Sequence, residues 1–301
     1  MGLGGTVLIS VSFSQNYRFF LGYVFEFVTE EFVMVHYGES AGEILERIRS
    51  ARPVVHSITN YVVMNSTANV LLAMGASPIM AHALEEMEDI SKISNSLVVN
   101  IGTLSKAWIE SMHLACRLAL STGKPFLLDP VGSGATKFRT QTALNIIMTT
   151  LPTVIRGNAS EILSLSSQRG FTRGVDSIHH VEDAVETARS IARSLGTVIA
   201  VTGERDLVTD GDRSLIIEGG HPLMGYVTGT GCAASVIVGA FLAQEEDPVI
   251  AAAAALAFFG LAGEKASEEA KTPGSFWVKT IDALYSITPE ELEARARITG
   301  V

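Results

Sequence analysis

Gly225–Gln244 reads GYVTGTGCAASVIVGAFLAQ. The stretch turns on Gly229-Thr230-Gly231 and then runs through Ala233, Ala234, Val236, Ile237, Ala240 and Phe241, a spacing that suits a buried helix. A glycine-rich turn opens into a helix here. The first N–H groups of such a helix have no intrahelical acceptor and carry partial positive charge, and glycine lets an anion approach them without a Cβ in the way. Gly229 and Gly231 therefore mark a candidate oxyanion or phosphate cradle. Cys232 falls in the first helical turn, where a thiol is expected to have its pKa lowered and to aim at whatever the cradle holds. Packing alone accounts for a glycine turn before a helix equally well. Gly229 to Ala234 also satisfies G-x-G-x-x-A, but a dinucleotide fold carries that fingerprint near its start, with a strand-end acid following, and neither condition is met.

Working outward from this turn, helices and apolar strands alternate. Ile44, Leu45 and Ile48 mark an amphipathic helix capped near Ser40, and Pro53–Ser57 reads as a strand. Helices are expected over Asn60–Met74, Glu85–Ser94, Lys106–Ser121, Arg139–Thr150, Ala159–Ser166 and Val181–Leu195. Strands are expected over Ala76–Met80, Leu97–Ile101, Pro125–Leu128, Val154–Arg156 and Val198–Thr202. Uniformly apolar strands separated by helices indicate an α/β fold with a mainly parallel sheet covered on both faces. Asp210-Gly211, between Leu207-Val208 and Leu215-Ile217, signals a hairpin that closes the sheet with an antiparallel edge. Only helices are expected after the glycine turn, over Cys232–Gln244, Val249–Ala270 and Trp277–Tyr285.

The composition restricts what such a fold does. The chain has 301 residues, 47% hydrophobic and 18% charged, enough for one large core. A formal charge of −10, with no Lys/Arg cluster, argues against a nucleic-acid or anionic-membrane partner. Two cysteines, Cys116 and Cys232, imply no disulfide framework and fit a reducing cytoplasm. The histidines show no metal-ligand spacing, and His179-His180 sit in a polar insertion, 168–180. The apolar runs Phe19–Phe27 and Val249–Ala262 are too short, or interrupted by Glu26 and Gly260, to be read as membrane spans. Residues 1–33 are aromatic-rich and lack the basic start and small-residue cleavage site of a secretory signal. Two readings stay open for them, an extra amino-terminal segment or an upstream start. The single domain is placed at 34–301.

In an open α/β sheet, ligands bind beyond the carboxyl ends of the strands. The residues there are Asn60, Met80, Asn100–Gly102, Asp129–Gly132, Arg156–Asn158, Thr202–Glu204 and the glycine turn. Asn158 and Glu161 lie three apart at a helix start, so a carboxylate and an amide share one face and suit a hydrated Mg²⁺ that also binds phosphate oxygens. The same pair reads as a capping box, and the two roles are compatible. Arg156 offers a fork for phosphate, or an ion pair with Asp129. No Walker pattern occurs, since Gly123-Lys124 is followed by Pro125.

These strand ends coincide with a known set of motifs. TNYVVMNSTAN from Thr59, GASPIMAHA from Gly75, NIGTLS from Asn100, LDPVGSGAT from Leu128, RGNASEI from Arg156, TGERD from Thr202, VTGTGC from Val227 and PGSF from Pro273 occur in order. From about Val54 to Pro289 the chain resembles the hydroxyethylthiazole kinases of thiamine synthesis, within the ribokinase-like superfamily. The resemblance implies ATP as co-substrate, Mg²⁺, and phosphorylation of the primary alcohol of 4-methyl-5-(2-hydroxyethyl)thiazole. It implies Met80, Gly229 and Asn60 as substrate contacts; Arg156, Thr202 and Asn158 on the nucleotide; and Asp129 and Glu161 near the metal and phosphates. Cys232, with the N–H groups of Gly229 and Gly231, then occupies the catalytic position, where most of the superfamily carries an aspartate base. A homotrimer with sites at subunit contacts is implied too, and the mixed Asn60–Met74 helix, with Asn65, Ser66, Thr67 and Asn69, is consistent with a shared polar face. Pyridoxal-type and hydroxymethylpyrimidine-type kinases, a nicotinamide-hydrate dehydratase and a non-catalytic relative are the alternatives. Cys232 argues against the dehydratase, and the presence of Asp129, Arg156, Glu161 and Cys232 together argues against a fold that has lost turnover.

Overall fold

The computed structural model describes residues 8–9, 33–34, 37–167 and 181–301; the insertion 168–180 and nearly all of 1–33 lie outside the described residues. Leu8–Ile9 (β1) and Val33–Met34 (β2) pair antiparallel as a separate two-stranded sheet. The first half of the main body comprises α1 (Tyr37–Ala51), β3 (Val54–Ile58), α2 (Met64–Met74), β4 (Ser77–Ile79), α3 (Met87–Ile93), β5 (Ser96–Asn100), α4 (Lys106–Ser121) and β6 (Phe126–Asp129). It continues through α5 (Lys137–Thr150), β7 (Val154–Asn158), α6 (Ala159–Ser167), α7 (Val181–Leu195), β8 (Val198–Thr202), β9 (Asp206–Thr209) and β10 (Ser214–Glu218). The last stretch holds α8 (Thr230–Leu242), α9 (Pro248–Glu269), α10 (Pro273–Ser286), α11 (Pro289–Arg295) and β11 (Arg297–Gly300).

Nine strands form one sheet in the order β11-β10-β9-β8-β7-β6-β5-β3-β4. β3 to β8 run parallel, and β9, β10 and β11 are antiparallel to their neighbours. The parallel part is apolar because both of its faces are covered. Val55, Val98, Leu127 and Val154 pack into one core with α1, α2, α8 and α9; Ile58, Val99, Leu128 and Ile155 pack into the other with α4 to α7.

The α8 helix fixes where function can sit. It is apolar on every side and is buried from Ala233 to Leu242. Ser96 Oγ donates to the Gly239 carbonyl at 2.7 Å, and a Cβ on Gly239 would meet Val98 Cγ2 at 2.3 Å, so the helix lies directly on the sheet. Crossing β3, β5 and β6, it aims its amino end at their carboxyl ends.

Three sequence expectations need correction. Helices are not the only elements after the glycine turn: β11 pairs with β10 beyond the hairpin and becomes the sheet edge. The second helix begins at Met64, and Asn60 lies before it, its buried side chain committed to the strand ends. The run around Val249–Ala262 lies in a 22-residue helix, Pro248–Glu269, that is long and apolar enough to cross a bilayer, but 83% of its apolar window is buried inside the protein. It is the central core helix.

Candidate active site

In the sheet order β4 lies on one side of β3, and β5 with all later parallel strands lies on the other. The connection therefore reverses direction between β3 and β5, and an open α/β sheet leaves a crevice at such a point. Asn60 follows β3, Asn100 ends β5, and the start of α8 caps the gap. Gly229 makes the entry turn at φ 90°, a left-handed conformation, and a Cβ there would stand 2.6 Å from Val63 Cγ1. No side chain caps the helix, so the N–H groups of Thr230, Gly231 and Cys232 face the crevice side without an intrahelical acceptor.

A buried polar network fills the floor. Asn60 Nδ2 donates to Asn100 Oδ1 at 2.9 Å and to Cys232 Sγ at 3.6 Å. Asn100 Nδ2 donates to Asp129 Oδ2 at 2.8 Å and to Cys232 Sγ at 3.2 Å. Ser235 Oγ donates to the same Asp129 oxygen at 2.8 Å. Asp129 is fully buried, and burial pushes its carboxyl up to about 6; the nearby Arg156 charge, Ser235 and Asn100 pull it down without prevailing. Cys232 departs from the sequence expectation. Its thiol is pushed up to about 11, first by burial and then by the Asp129 charge, and the helix start does not outweigh them. At neutral pH it is a thiol.

Arg156 supplies the positive charge. Its guanidinium, carried by the middle residue of β7, is buried, donates to Thr202 Oγ1, and stands 3.7 Å from Asp129 Oδ2, beyond hydrogen-bond reach. A Cβ on Gly231 would meet Arg156 Nη1 at 2.9 Å, so the glycine lets the cation sit against the helix start. Two positive poles thus converge, and Arg156 Nε is buried with no acceptor. Such an arrangement favours an anion. Asp206, at the start of β9, accepts from Gly203 N at 2.9 Å; burial pushes it up to about 6 against that bond and the Arg156 charge.

Glu161 and Asn158 form the reciprocal capping box. Glu161 N donates to Asn158 Oδ1 and Asn158 N donates to Glu161 Oε2, both at 2.9 Å. Gly132 N donates to the other carboxylate oxygen at 2.8 Å, tying this helix start to the loop after β6. Each Glu161 oxygen keeps acceptor capacity beyond these bonds, Asp129 Oδ1 is buried without a partner, and the Glu161 charge is close enough to raise Asp129. Among the described residues no group of three or more His, Cys, Asp or Glu side chains gathers into a protein-only cage. The donor set fits a hydrated Mg²⁺ that arrives on phosphate oxygens and needs only one or two carboxylates.

Beside Thr202 opens an apolar cavity of about 510 Å³, lined by Val185, Val201, Leu207 and Ile216 with Arg189 at its wall. A larger space of about 730 Å³ lies at the amino ends of β6 and β7, near Lys124 and Glu245, and contains none of the strand-end residues. The parallel-sheet rule favours the first. Met80 directly follows β4, two strands from β5, at the opposite end of the crevice from this cavity. Asn60, Asp129, Arg156, Thr202, Gly231 and Cys232 are thus linked by contacts. Asn158 and Glu161 join them through the loop after β6, and Met80 stands apart on the edge. Sequence reasoning placed Asn100 among the strand-end residues but gave it no role, and gave none to Ser235 or Asp206. Ser235 could have been found as the residue three after Cys232, on the same helix face.

Comparison with known proteins shows the family and the fold. The model of the hydroxyethylthiazole kinase family matches residues 45–290. A hydroxyethylthiazole kinase of Desulfotalea psychrophila is 56% identical over 259 residues, 86% of this chain and 95% of that protein. The solved hydroxyethylthiazole kinase of Pyrococcus horikoshii superposes with a TM-score of 0.81 at 46% identity, covering 87% of this chain and 98% of that one. A ribokinase-like superfamily protein from Enterococcus faecalis, only 16% identical, shares the fold with a TM-score of 0.60 over 85% of this chain and 95% of its own.

Proposed function

The chain belongs to the hydroxyethylthiazole kinase family, and we infer that it performs that phosphoryl transfer with the residues assembled at the β3/β5 crevice. It phosphorylates the primary alcohol of 4-methyl-5-(2-hydroxyethyl)thiazole with ATP, in thiamine salvage. The observation that carries the assignment of roles is the convergence of the uncapped α8 start, Arg156 and the Cys232 thiol on one crevice.

The nucleotide base enters the cavity beside Val201, Leu207 and Ile216, and Thr202 and Asn158 flank the path to the phosphates. Arg156 and the N–H groups of Thr230, Gly231 and Cys232 hold the transferring phosphoryl oxygens. Phosphoryl transfer passes through a loose transition state with charge on those oxygens, so positioning and electrostatics supply most of the rate. Met80 and Asn60 contact the thiazole side of the substrate, and Cys232 meets the alcohol. The alcohol oxygen bonds to the γ-phosphorus while the bond to the β–γ bridging oxygen breaks; ADP leaves, and the alcohol proton passes to a phosphoryl oxygen. A thiol raised to about 11 is not the base in this scheme. Glu161, with Asp129 behind it, would hold the hydrated Mg²⁺, whose charge neutralises the phosphates when bound.

The assembly we favour is the homotrimer of the family resemblance, in the cytoplasm. Support comes from β4, an unpaired sheet edge flanked by the exposed apolar side chains Tyr61, Val62 and Leu72. Light scattering on the purified protein tests the trimer.

ADP release from ATP and Mg²⁺ tests the function, with hydroxyethylthiazole against hydroxymethylpyrimidine and pyridoxal. Turnover that depends on the thiazole and exceeds both controls is expected. Turnover only with a control alcohol would mean that the pocket was misread, and thiazole binding without turnover would favour a non-catalytic relative.

A further inference from the structure

We propose that Asn100 is a positioning residue that locks the Cys232 thiol as a hydrogen-bond donor toward the substrate alcohol. The argument begins with which way two buried amides point. Asn100 is 1% exposed, and its Oδ1 accepts from the backbone N–H of Gly102 at 3.0 Å as well as from Asn60. A backbone N–H only donates, so the oxygen must be on that side and the NH₂ group on the other. Asn60 is fixed in the same way, because Val62 N donates to its Oδ1 at 3.0 Å. Both amide nitrogens are therefore committed as donors, and one N–H from each addresses Cys232 Sγ, at 3.2 Å from Asn100 and 3.6 Å from Asn60.

Two amide donors occupy the acceptor side of the sulfur. Its remaining polar function is the S–H, and the alcohol oxygen is the natural acceptor for it. The second N–H of Asn100 goes to Asp129 at 2.8 Å, so one buried side chain sets the thiol and steadies the acid behind it. Asn100 has no spare hydrogen-bonding capacity with which to touch substrate, and acts through Cys232. The proposal rests on the reading that Cys232 meets the alcohol.

The test is a double-mutant cycle of Asn100→Leu with Cys232→Ala, run with ATP, Mg²⁺ and whichever alcohol the wild-type enzyme turns over best. Asn100→Leu is expected to lower kcat roughly tenfold while KM for both substrates changes less than about twofold, and most of that kcat loss should vanish in the Cys232→Ala background. Equal losses in both backgrounds would overturn the proposal, as would a Cys232→Ala enzyme with wild-type kcat. If Asn100→Leu does not fold, Asn100→Ser takes its place in the same cycle, judged by the same criteria. A readout independent of turnover is the S–H stretching band of Cys232, isolated as the infrared difference between wild type and Cys232→Ala. It should shift when the alcohol is added to wild type, and should shift less in the Asn100 variant; the same response in both would sink the idea. A wild-type enzyme that prefers a control alcohol would refute the thiazole assignment while leaving this cycle interpretable.

Discussion

Replacing Asp129 by Asn removes a charge from the middle of the site and keeps its shape. The carboxylate uses only Oδ2, which accepts from Asn100 and Ser235 and faces Arg156, while Oδ1 is buried without a partner. An asparagine oxygen can take the place of Oδ2 and keep both hydrogen bonds. Burial raises the folded-state pKa from 3.8 to about 6, so the native protein binds the proton more tightly than the unfolded chain does. The associated stability is fully present below the unfolded value and is lost as pH rises through the folded one. Between pH 4 and pH 7 that loss integrates to about 2 kcal/mol. At roughly 2 cal/mol/K of unfolding entropy per residue, it moves the melting temperature by about 3 to 4 °C. Asp206 titrates in the same range but is present in both proteins, so its contribution cancels in a comparison. Melting curves of Asp129→Asn and wild type should therefore differ by an amount that moves about 3 to 4 °C in the variant's favour from pH 4 to pH 7. A difference that stays constant across that range would refute the buried, costly ionisation. The variant should also lose most of its activity at pH 7, since the charge that faces Arg156 is gone.

Cys232→Ala is expected to keep measurable turnover, with a loss smaller than the ~10²–10⁴-fold that a general base contributes, and a dead variant that still binds both substrates would refute the neutral-thiol role. The profile of kcat/KM against pH should show an acid limb near the raised Asp129 value of about 6, and no limb from Cys232 until its value of about 11 is approached. Gly231→Ala would place a Cβ 2.9 Å from Arg156 Nη1 and push the guanidinium away; we expect kcat/KM for ATP to fall on the order of tenfold with little change in melting temperature. Glu161→Gln cannot accept at both positions now filled by Gly132 and Asn158; a loss of about 1 to 2 kcal/mol in stability and a raised Mg²⁺ requirement are expected by denaturant titration and metal-dependent kinetics.

The parallel sheet and the turn-to-helix unit were legible because both are local patterns. Apolar strands, a hairpin marked by Asp210-Gly211 and a small-residue helix after Gly231 each announce themselves within about ten residues. β11 was not legible. It is four residues long, it carries charge at Arg297, and its pairing with β10 crosses some eighty positions of chain, which no local periodicity encodes. The candidate site residues were sought where strands end, yet the thiol's state was misjudged for a physical reason. A helix start lowers a pKa through a local dipole, whereas burial and the Asp129 charge raise it, and both of the latter depend on what the fold brings near. Asn100 was named as a strand-end residue but given no role, for a related reason. An amide at a strand end looks like turn chemistry until Gly102, Asn60, Asp129 and Cys232 are seen around it.

The stability cost and the proposed catalytic use of this site have one origin. Arg156 and the α8 start place positive poles together, and the Asp129 carboxylate beside them is fully buried and too far from Arg156 for a hydrogen bond. In the absence of an anion the arrangement is under-compensated, with Arg156 Nε and Asp129 Oδ1 both buried without partners. In the proposed mechanism a transferring phosphoryl group brings the negative charge that these poles lack, and brings it to groups that need not reorganise. Filling the gap with a permanent protein carboxylate would stabilise the fold and occupy the place where the substrate's charge develops. The neutral thiol at position 232 fits the same logic: it can orient an alcohol without adding a second negative charge next to Asp129.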